Sequence, residues 1–298
     1  NHRYLMEQDL NRVEDVANEK IAVTCGRCHS SSRVALQRRP ESEWSHLIDF
    51  HLGQFPATEY SLFGRDRNWY KIAKEEVAPL LAKMYPLESK EWQEWQSIEK
   101  QSLQGKWVLS GHMPGKGYFT AKMNVSQNKA DYYSLTINGT YANGEDFTGT
   151  GSSVVYTGYE WRGKINFGDI SLRQTLAANA DGSTLTGRFY QNDQEAIGTD
   201  IRAIKDTTNT QLLSIYPSHI KKGETTTLTI TGTGLNGIPS FSNGVKVEKV
   251  IKNNNNQIVL IASAQADIPT GYSTVSLGKS SLNNKLAVYN SVQSIAIT

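Results

Sequence analysis

The chain has only two cysteines, and both lie in the five-residue run Cys25-Gly26-Arg27-Cys28-His29. That count excludes a four-cysteine zinc site and a disulfide framework. It leaves a site built on one short segment. Cysteines three apart place two thiols on the same side of one helical turn. There they reach the two vinyl groups of a haem, and the next residue presents its imidazole to the iron. The run therefore predicts a covalently attached haem c, with Cys25 and Cys28 forming the thioethers and His29 as the proximal axial ligand. Such a group is attached outside the cytoplasm.

Other chemistry can use the same spacing. A thioredoxin-like redox pair also has two cysteines three apart, but the following His and the absence of a βαβ pattern weigh against it. Zinc could take Cys25 and Cys28 with His46 and His51, the first of which is separated from Cys28 by 17 residues. Helical geometry turns those two His about 140° apart, which disfavours a shared ion. For the sixth iron position two candidates stand. His51 lies on the stripe Trp44, Leu47, Ile48, His51, Leu52, which has the spacing of one buried helix face. Met84 lies on the stripe Ala73, Val77, Leu80, Leu81, Met84. A Met ligand would raise the reduction potential above that of a bis-His iron. Arg33, Arg38, Arg39, Arg65 and Arg67 surround these segments and could pair haem propionates or acids such as Asp66. A solvated charged surface is the simpler reading of each one alone.

The 298 residues suggest two or three domains. Up to about residue 100 the chain has helical spacing. Pro40 opens one helix, with Glu41 and Glu43 in its first turn and Gly53 as its stop. A second helix covers 69 to 85, with Pro79 placed to kink or split it. Trp92 and Trp95 dock a connecting segment. Beyond Leu103 the sequence turns rich in Gly, Thr, Asn and Ser with alternating short apolar runs. Seven strand candidates between 106 and 190, punctuated by turns such as Ala142-Asn143-Gly144, predict an antiparallel barrel. Six more between 212 and 289, with Asn253 to Asn256 as a polar turn, predict a small Ig-like sandwich. The expected domains are 1–102, 103–207 and 208–298.

A net charge of +2 and a pI near 8.4 are too balanced for a nucleic-acid or membrane-surface footprint. No apolar run approaches the roughly 20 residues of a spanning helix. No signal peptide is visible, so the chain reads as a mature or partial sequence. The β regions show no nucleophile–base–orienter set and no phosphate loop. They read as scaffold or docking modules, with no catalytic residue.

Longer runs go beyond the haem motif. They are Arg33-Val-Ala-Leu-Gln-Arg-Arg39, Phe50-His51-Leu-Gly-Gln-Phe-Pro56, Glu59-Tyr60 and Arg65-Asp-Arg-Asn-Trp69. Further on stand Trp107-Val-Leu-Ser-Gly-His-Met-Pro-Gly-Lys-Gly117, Val155-Tyr-Thr-Gly-Tyr-Glu-Trp-Arg-Gly163, Leu213-Ser-Ile-Tyr-Pro217 and Leu228-Thr-Ile-Thr-Gly-Thr-Gly234. Together these resemble the haem-bearing α subunit of quinohaemoprotein amine dehydrogenase, over nearly the whole chain. The resemblance implies a helical cytochrome c domain, an avidin/lipocalin-like antiparallel β-barrel and an Ig-like β-sandwich of the E-set type. It implies a periplasmic heterotrimer with a β-propeller subunit and a small subunit bearing cysteine tryptophylquinone. That quinone oxidises primary amines, and electrons pass through haem to a cupredoxin or cytochrome c. It also supports His51 as the distal ligand, because that His sits in the matching His-Leu-Gly-Gln-Phe-Pro run. The family's α subunit carries two CxxCH motifs and a further Ig-like domain. This chain has one motif, which looks like the second haem site, so the first haem domain and the last sandwich are expected to be missing. Two other readings compete. One is a stand-alone periplasmic c-type cytochrome whose β modules bind a carbohydrate or surface protein. The other is a haem sensor or peroxidase with an open iron position.

Overall fold

The computed structural model describes residues 19–25, 34, 37–56, 68–168 and 170–292. The chain divides into two compact units, 1–99 and 100–298. The first is helical and the second is all β.

In the helical unit, α1 (Glu19–Cys25) and α2 (Glu41–Gln54) precede α3 (Trp69–Ile72). A π-helical turn (Ala73–Val77) joins α3 directly to α4 (Ala78–Met84), and α5 (Lys90–Ser97) follows. Pro40 precedes α2 in extended backbone, as its fixed φ favours at a helix start. Gly53 does not stop α2; the helix runs one residue further and is capped by Phe55, whose N–H bonds the His51 carbonyl. Pro79 neither breaks nor splits the second helical stretch. The preceding turn widens instead, so that the Ala78 N–H reaches the Ala73 carbonyl five residues back. A wider turn relieves the clash that the proline ring would make with the carbonyl four residues before it. Ser89 caps α5 by accepting the Trp92 N–H at 3.1 Å, and α5 buries Trp95 while Trp92 stays half-buried.

The core of this unit gathers Ile21, Val34, Trp44, Val77, Ala78, Leu81 and Tyr85. Polar contacts fix the helices around it. Lys74 Nζ donates to both Asp49 carboxylate oxygens at 2.9 Å, and Tyr70 donates to the same carboxylate at 2.8 Å. Together they clip α2 to the π turn, and they hold the Asp49 carboxyl below its ordinary value. Lys20 pairs with Glu76 and ties α1 to the same turn.

The β unit begins with a closed eight-stranded antiparallel barrel. Its strands are β1 (Gly105–Met113), β2 (Gly117–Lys129), β3 (Tyr132–Tyr141) and β4 (Asp146–Tyr156). They continue as β5 (Glu160–Phe167), β6 (Ile170–Ala178), β7 (Thr184–Gln191) and β8 (Gly198–Lys205). Each strand pairs with its sequence neighbour, and β8 closes on β1 through Trp107↔Lys205 to Ser110↔Arg202. Closure removes both sheet edges. Strand β8 lies outside the seven sequence candidates, because its inward positions carry Thr199 and Ala203 beside a single large apolar residue, Ile201. Inward residues include Trp107, Phe119, Ile137, Trp161, Leu172 and Phe189, all fully buried. The inward face also carries polar groups, among them Gln174, which accepts the Trp161 indole N–H at 2.9 Å. Gly187 stands at φ +155°, where a Cβ would meet the Thr175 carbonyl and lie 2.7 Å from Leu176 Cα.

Two four-stranded sheets form the sandwich. One has the order β10-β16-β15-β12 and the other β13-β14-β11-β9. The ranges are β9 (Gln211–Tyr216), β10 (His219–Lys221), β11 (Glu224–Thr233) and β12 (Ser240–Phe241). Then come β13 (Val245–Asn254), β14 (Gln257–Ala264), β15 (Gly271–Leu277) and β16 (Ser280–Tyr289). The asparagine run forms the β13–β14 hairpin end, as the sequence predicts. The strands β10 and β12 add to the six sequence candidates; they are too short to show a period. Leu228, Ile230, Ile258, Leu260, Val275 and Leu286 fill the space between the sheets.

Barrel and sandwich are joined by more than a linker. Tyr118 of β2 stacks on Tyr216 of β9 at 4.4 Å, and its hydroxyl meets Ser214 Oγ at 2.8 Å. Burial pushes the Tyr118 phenol up. Val108, Ile204 and Leu213 form a small apolar cluster alongside, and Asn256 donates to Asp206 at 2.7 Å.

Gly187→Ala places a side chain in a strained backbone conformation against a neighbouring strand, so it should cost roughly 3 kcal/mol or more in urea denaturation. Asp49 carries a depressed pKa, so its contribution is present above the ordinary aspartate value of about 3.9 and is lost as pH falls through the lower native value. Asp49→Asn should therefore flatten the acid limb of the helical unit's stability, followed by circular dichroism between about pH 5 and pH 2, by a small and salt-sensitive amount.

Candidate haem site

Cys25 is the last residue of α1. It is half-buried and packs on the helical core, against which Leu47, Ile48 and Met84 also pack. Cys28 and His29 lie outside the described residues, as do Arg33, Arg65, Asp66 and Arg67. The position of Cys25 is set by two kinds of contact. Ile21, one turn earlier, is fully buried. The carbonyl of Thr24 accepts the indole N–H of buried Trp69 at 3.1 Å. That bond supplies a partner for one of the carbonyls that a helix C-terminus leaves unpaired.

His51 is half-buried in α2, one turn beyond Leu47 and Ile48. Its Nδ1 lies 2.7 Å from the Leu47 carbonyl, which can only accept. The proton therefore sits on Nδ1, and Nε2 is the nitrogen with the lone pair. A ligating His usually shows this arrangement, with the second ring nitrogen given to a backbone carbonyl. Phe50 meets the His51 ring edge-on at 6.2 Å, and both Phe50 and Phe55 are exposed. Met84 ends α4, half-buried on the same core as Cys25. His46 is exposed, with Nδ1 3.7 Å from Glu43, as its place on the polar face predicts. Among the described residues no group of three or more His, Cys, Asp and Glu side chains converges.

Sequence reasoning missed one donor. Trp44 is 2 % exposed, yet its indole Nε1 has no hydrogen-bond partner among the described residues. A buried N–H left without an acceptor costs about 1–3 kcal/mol, so an acceptor is wanted there. Beside it, the Arg39 guanidinium lies 5.9 Å from the Trp44 ring, and the Arg38 guanidinium lies 5.0 Å from Tyr85. A thiol on an apolar core, an imidazole with Nδ1 already given away, and a cationic donor-rich end fit an amphiphilic macrocycle with an iron and two carboxylates.

No helix among the described residues is long and apolar enough to cross a membrane.

Residues 1–92 match a family described as "Quinohemoprotein amine dehydrogenase A, alpha subunit, haem binding". Residues 100–206 match domain II of that α subunit, and 209–290 match its domain III. Among curated proteins no sequence matches significantly. Solved structures similar to the barrel include a redesigned β-barrel, mFAP1, bound to DFHBI, at 15% identity and TM-score 0.31, covering 35% of this chain and 94% of that one. A de novo designed fluorescence-activating barrel is similar at 17% identity and TM-score 0.30, covering 35% of this chain and 93% of its own. Three matches to consecutive domains of one subunit, in order and over nearly the full length, place this chain in the family of quinohaemoprotein amine dehydrogenase α subunits.

Proposed function

We propose that this chain is the c-type haem electron-transfer subunit of a periplasmic quinohaemoprotein amine dehydrogenase. It passes electrons from a cysteine tryptophylquinone in a small partner subunit to a soluble cupredoxin or cytochrome c, and a β-propeller subunit completes the heterotrimer. The observation that carries this reading is the haem-binding family match over the segment that holds both cysteines. Domains 1–102, 103–207 and 208–298 divide the labour: the first holds the cofactor and the other two are scaffold and docking modules.

When bound, the haem supplies a one-electron couple. This chain's residues fix and tune it. Cys25 and Cys28 hold the group permanently by thioethers, which suits a relay that never exchanges its cofactor. His29 and His51 would hold the iron, the latter supported by its Nδ1 bond to Leu47; Met84 is the alternative to His51, supported by its place on the same helical core as Cys25. The His51–Leu47 bond orients the ring and raises its basicity, and a bis-His iron favours a lower potential than a His/Met one. Arg38 and Arg39 supply positive charge for the propionates. The apolar core under Cys25 keeps water from one side of the site.

Purification under native conditions, followed by an optical spectrum and a quinone stain of each copurifying chain, tests the assignment. A six-coordinate c-type spectrum with a small quinone-positive chain is expected. A haem protein with no quinone-positive partner would reduce it to a stand-alone cytochrome with β binding modules. In the same preparation, His51→Ala should convert the low-spin iron to a five-coordinate form, while Met84→Ala leaves the spectrum in place. The reverse pattern would make Met84 the ligand.

A further inference from the structure

We infer that the outer face of the barrel carries a binding site for a small organic anion, a carboxylate or phosphate on a flat apolar body. Its lining belongs wholly to the β unit, and it does not depend on the haem assignment. It is a pocket of about 500 Å³ over strands β3 to β7. That volume lies within the range of small-molecule sites. Strand register brings its lining together. One outward row runs Tyr132, Val154, Arg162, Thr175. The next runs Ser152, Lys164, Arg173, Tyr190.

The telling feature is the pair Lys164 and Arg173. They stand directly opposite each other on adjacent antiparallel strands. Like charges in that relation destabilise a sheet. Arg162 adds a third cation on the next outward position of β5. The nearby acids answer only the two arginines: Glu160 accepts from Arg162 Nε at 2.7 Å, and Glu195 lies 3.7 Å from Arg173. Lys164 has no acidic partner among the described residues. Arg173 keeps its Nε on Asn192 at 2.7 Å, which holds the guanidinium over the pocket's rim. Glu195 at 3.7 Å offsets part of the Arg173 charge, and Lys164 opposite it stays unanswered. A bound anion would turn the repulsion into two charge-assisted contacts. The tyrosines set the rest of the ligand's character. Tyr132 is exposed and Tyr190 half-exposed at opposite ends of the pocket, with Lys129 Nζ already 4.3 Å from the Tyr132 ring. Rings with cations between them suit an aromatic acid better than a bare inorganic ion.

The test titrates phenyl phosphate into the full-length protein by calorimetry at low salt. Benzyl alcohol serves as the uncharged probe, and Lys246→Glu, on the exposed face of the sandwich, as the charge control. Saturable one-site binding of phenyl phosphate is expected, with none for benzyl alcohol. Lys164→Glu and Arg173→Gln should each weaken binding by roughly tenfold or more, the effect of losing one charged contact, while Lys246→Glu leaves it intact. Without ligand, Lys164→Glu should raise the thermal midpoint, because it replaces a repulsive cross-strand pair with an attractive one. Absence of saturable binding overturns the site, and so does equal weakening by Lys246→Glu or equal binding of benzyl alcohol. Lys164→Glu that binds as the parent does would also overturn it.

Discussion

The C-terminal end of α1 is held by several contacts at once. Burial of Ile21 fixes the rotation of the helix, and the Trp69 indole holds the Thr24 carbonyl one residue before Cys25. Lys20 reaches across to Glu76 in the π turn. That turn in turn exists because Pro79 cannot join a regular helix, and Lys74 within it clamps Asp49 of α2. The backbone at Cys25 is thereby held from several sides. Here the same short π segment anchors both the helix bearing Cys25 and the helix bearing His51.

The β unit obeys a different constraint. Eight strands paired in sequence order leave one pair of edges, and β8 on β1 removes it. The interior is then a fixed volume shared by large rings and by positions with no side chain at all. Gly187 and Trp161 are two sides of that balance: one yields space to a neighbouring strand, and the other fills it and needs Gln174 for its N–H. The sandwich is braced to this barrel by the Tyr118–Tyr216 stack. The stack and the Asn256–Asp206 bond hold the two β modules to each other.

Much of this architecture is legible in the amino-acid sequence. The haem motif needs only five adjacent residues, and the stripe from Trp44 to Leu52 places α2 within a residue or two. Most strands follow from alternation and turn residues. What fails to show has physical reasons. Strand β8 escapes notice because Thr199 and Ala203 point inward, where alternation expects large apolar residues. The π turn is a response to Pro79 that no local pattern spells out. The Trp69–Thr24 bond spans 45 residues, and the opposition of Lys164 to Arg173 is visible only once the strand register is known. The tautomer of His51 likewise depends on which carbonyl its helix presents to Nδ1. Cys28 and His29, proposed as the site's centre, lie outside the described residues and rest on the sequence alone.

The most direct test of the account is the intact mass of the natively purified chain, with fragmentation of the peptide containing Cys25 to His29. One haem added to that peptide, retained after acid extraction and with neither cysteine open to alkylation, is the predicted result. An unmodified peptide whose two cysteines alkylate freely or pair with each other would contradict it.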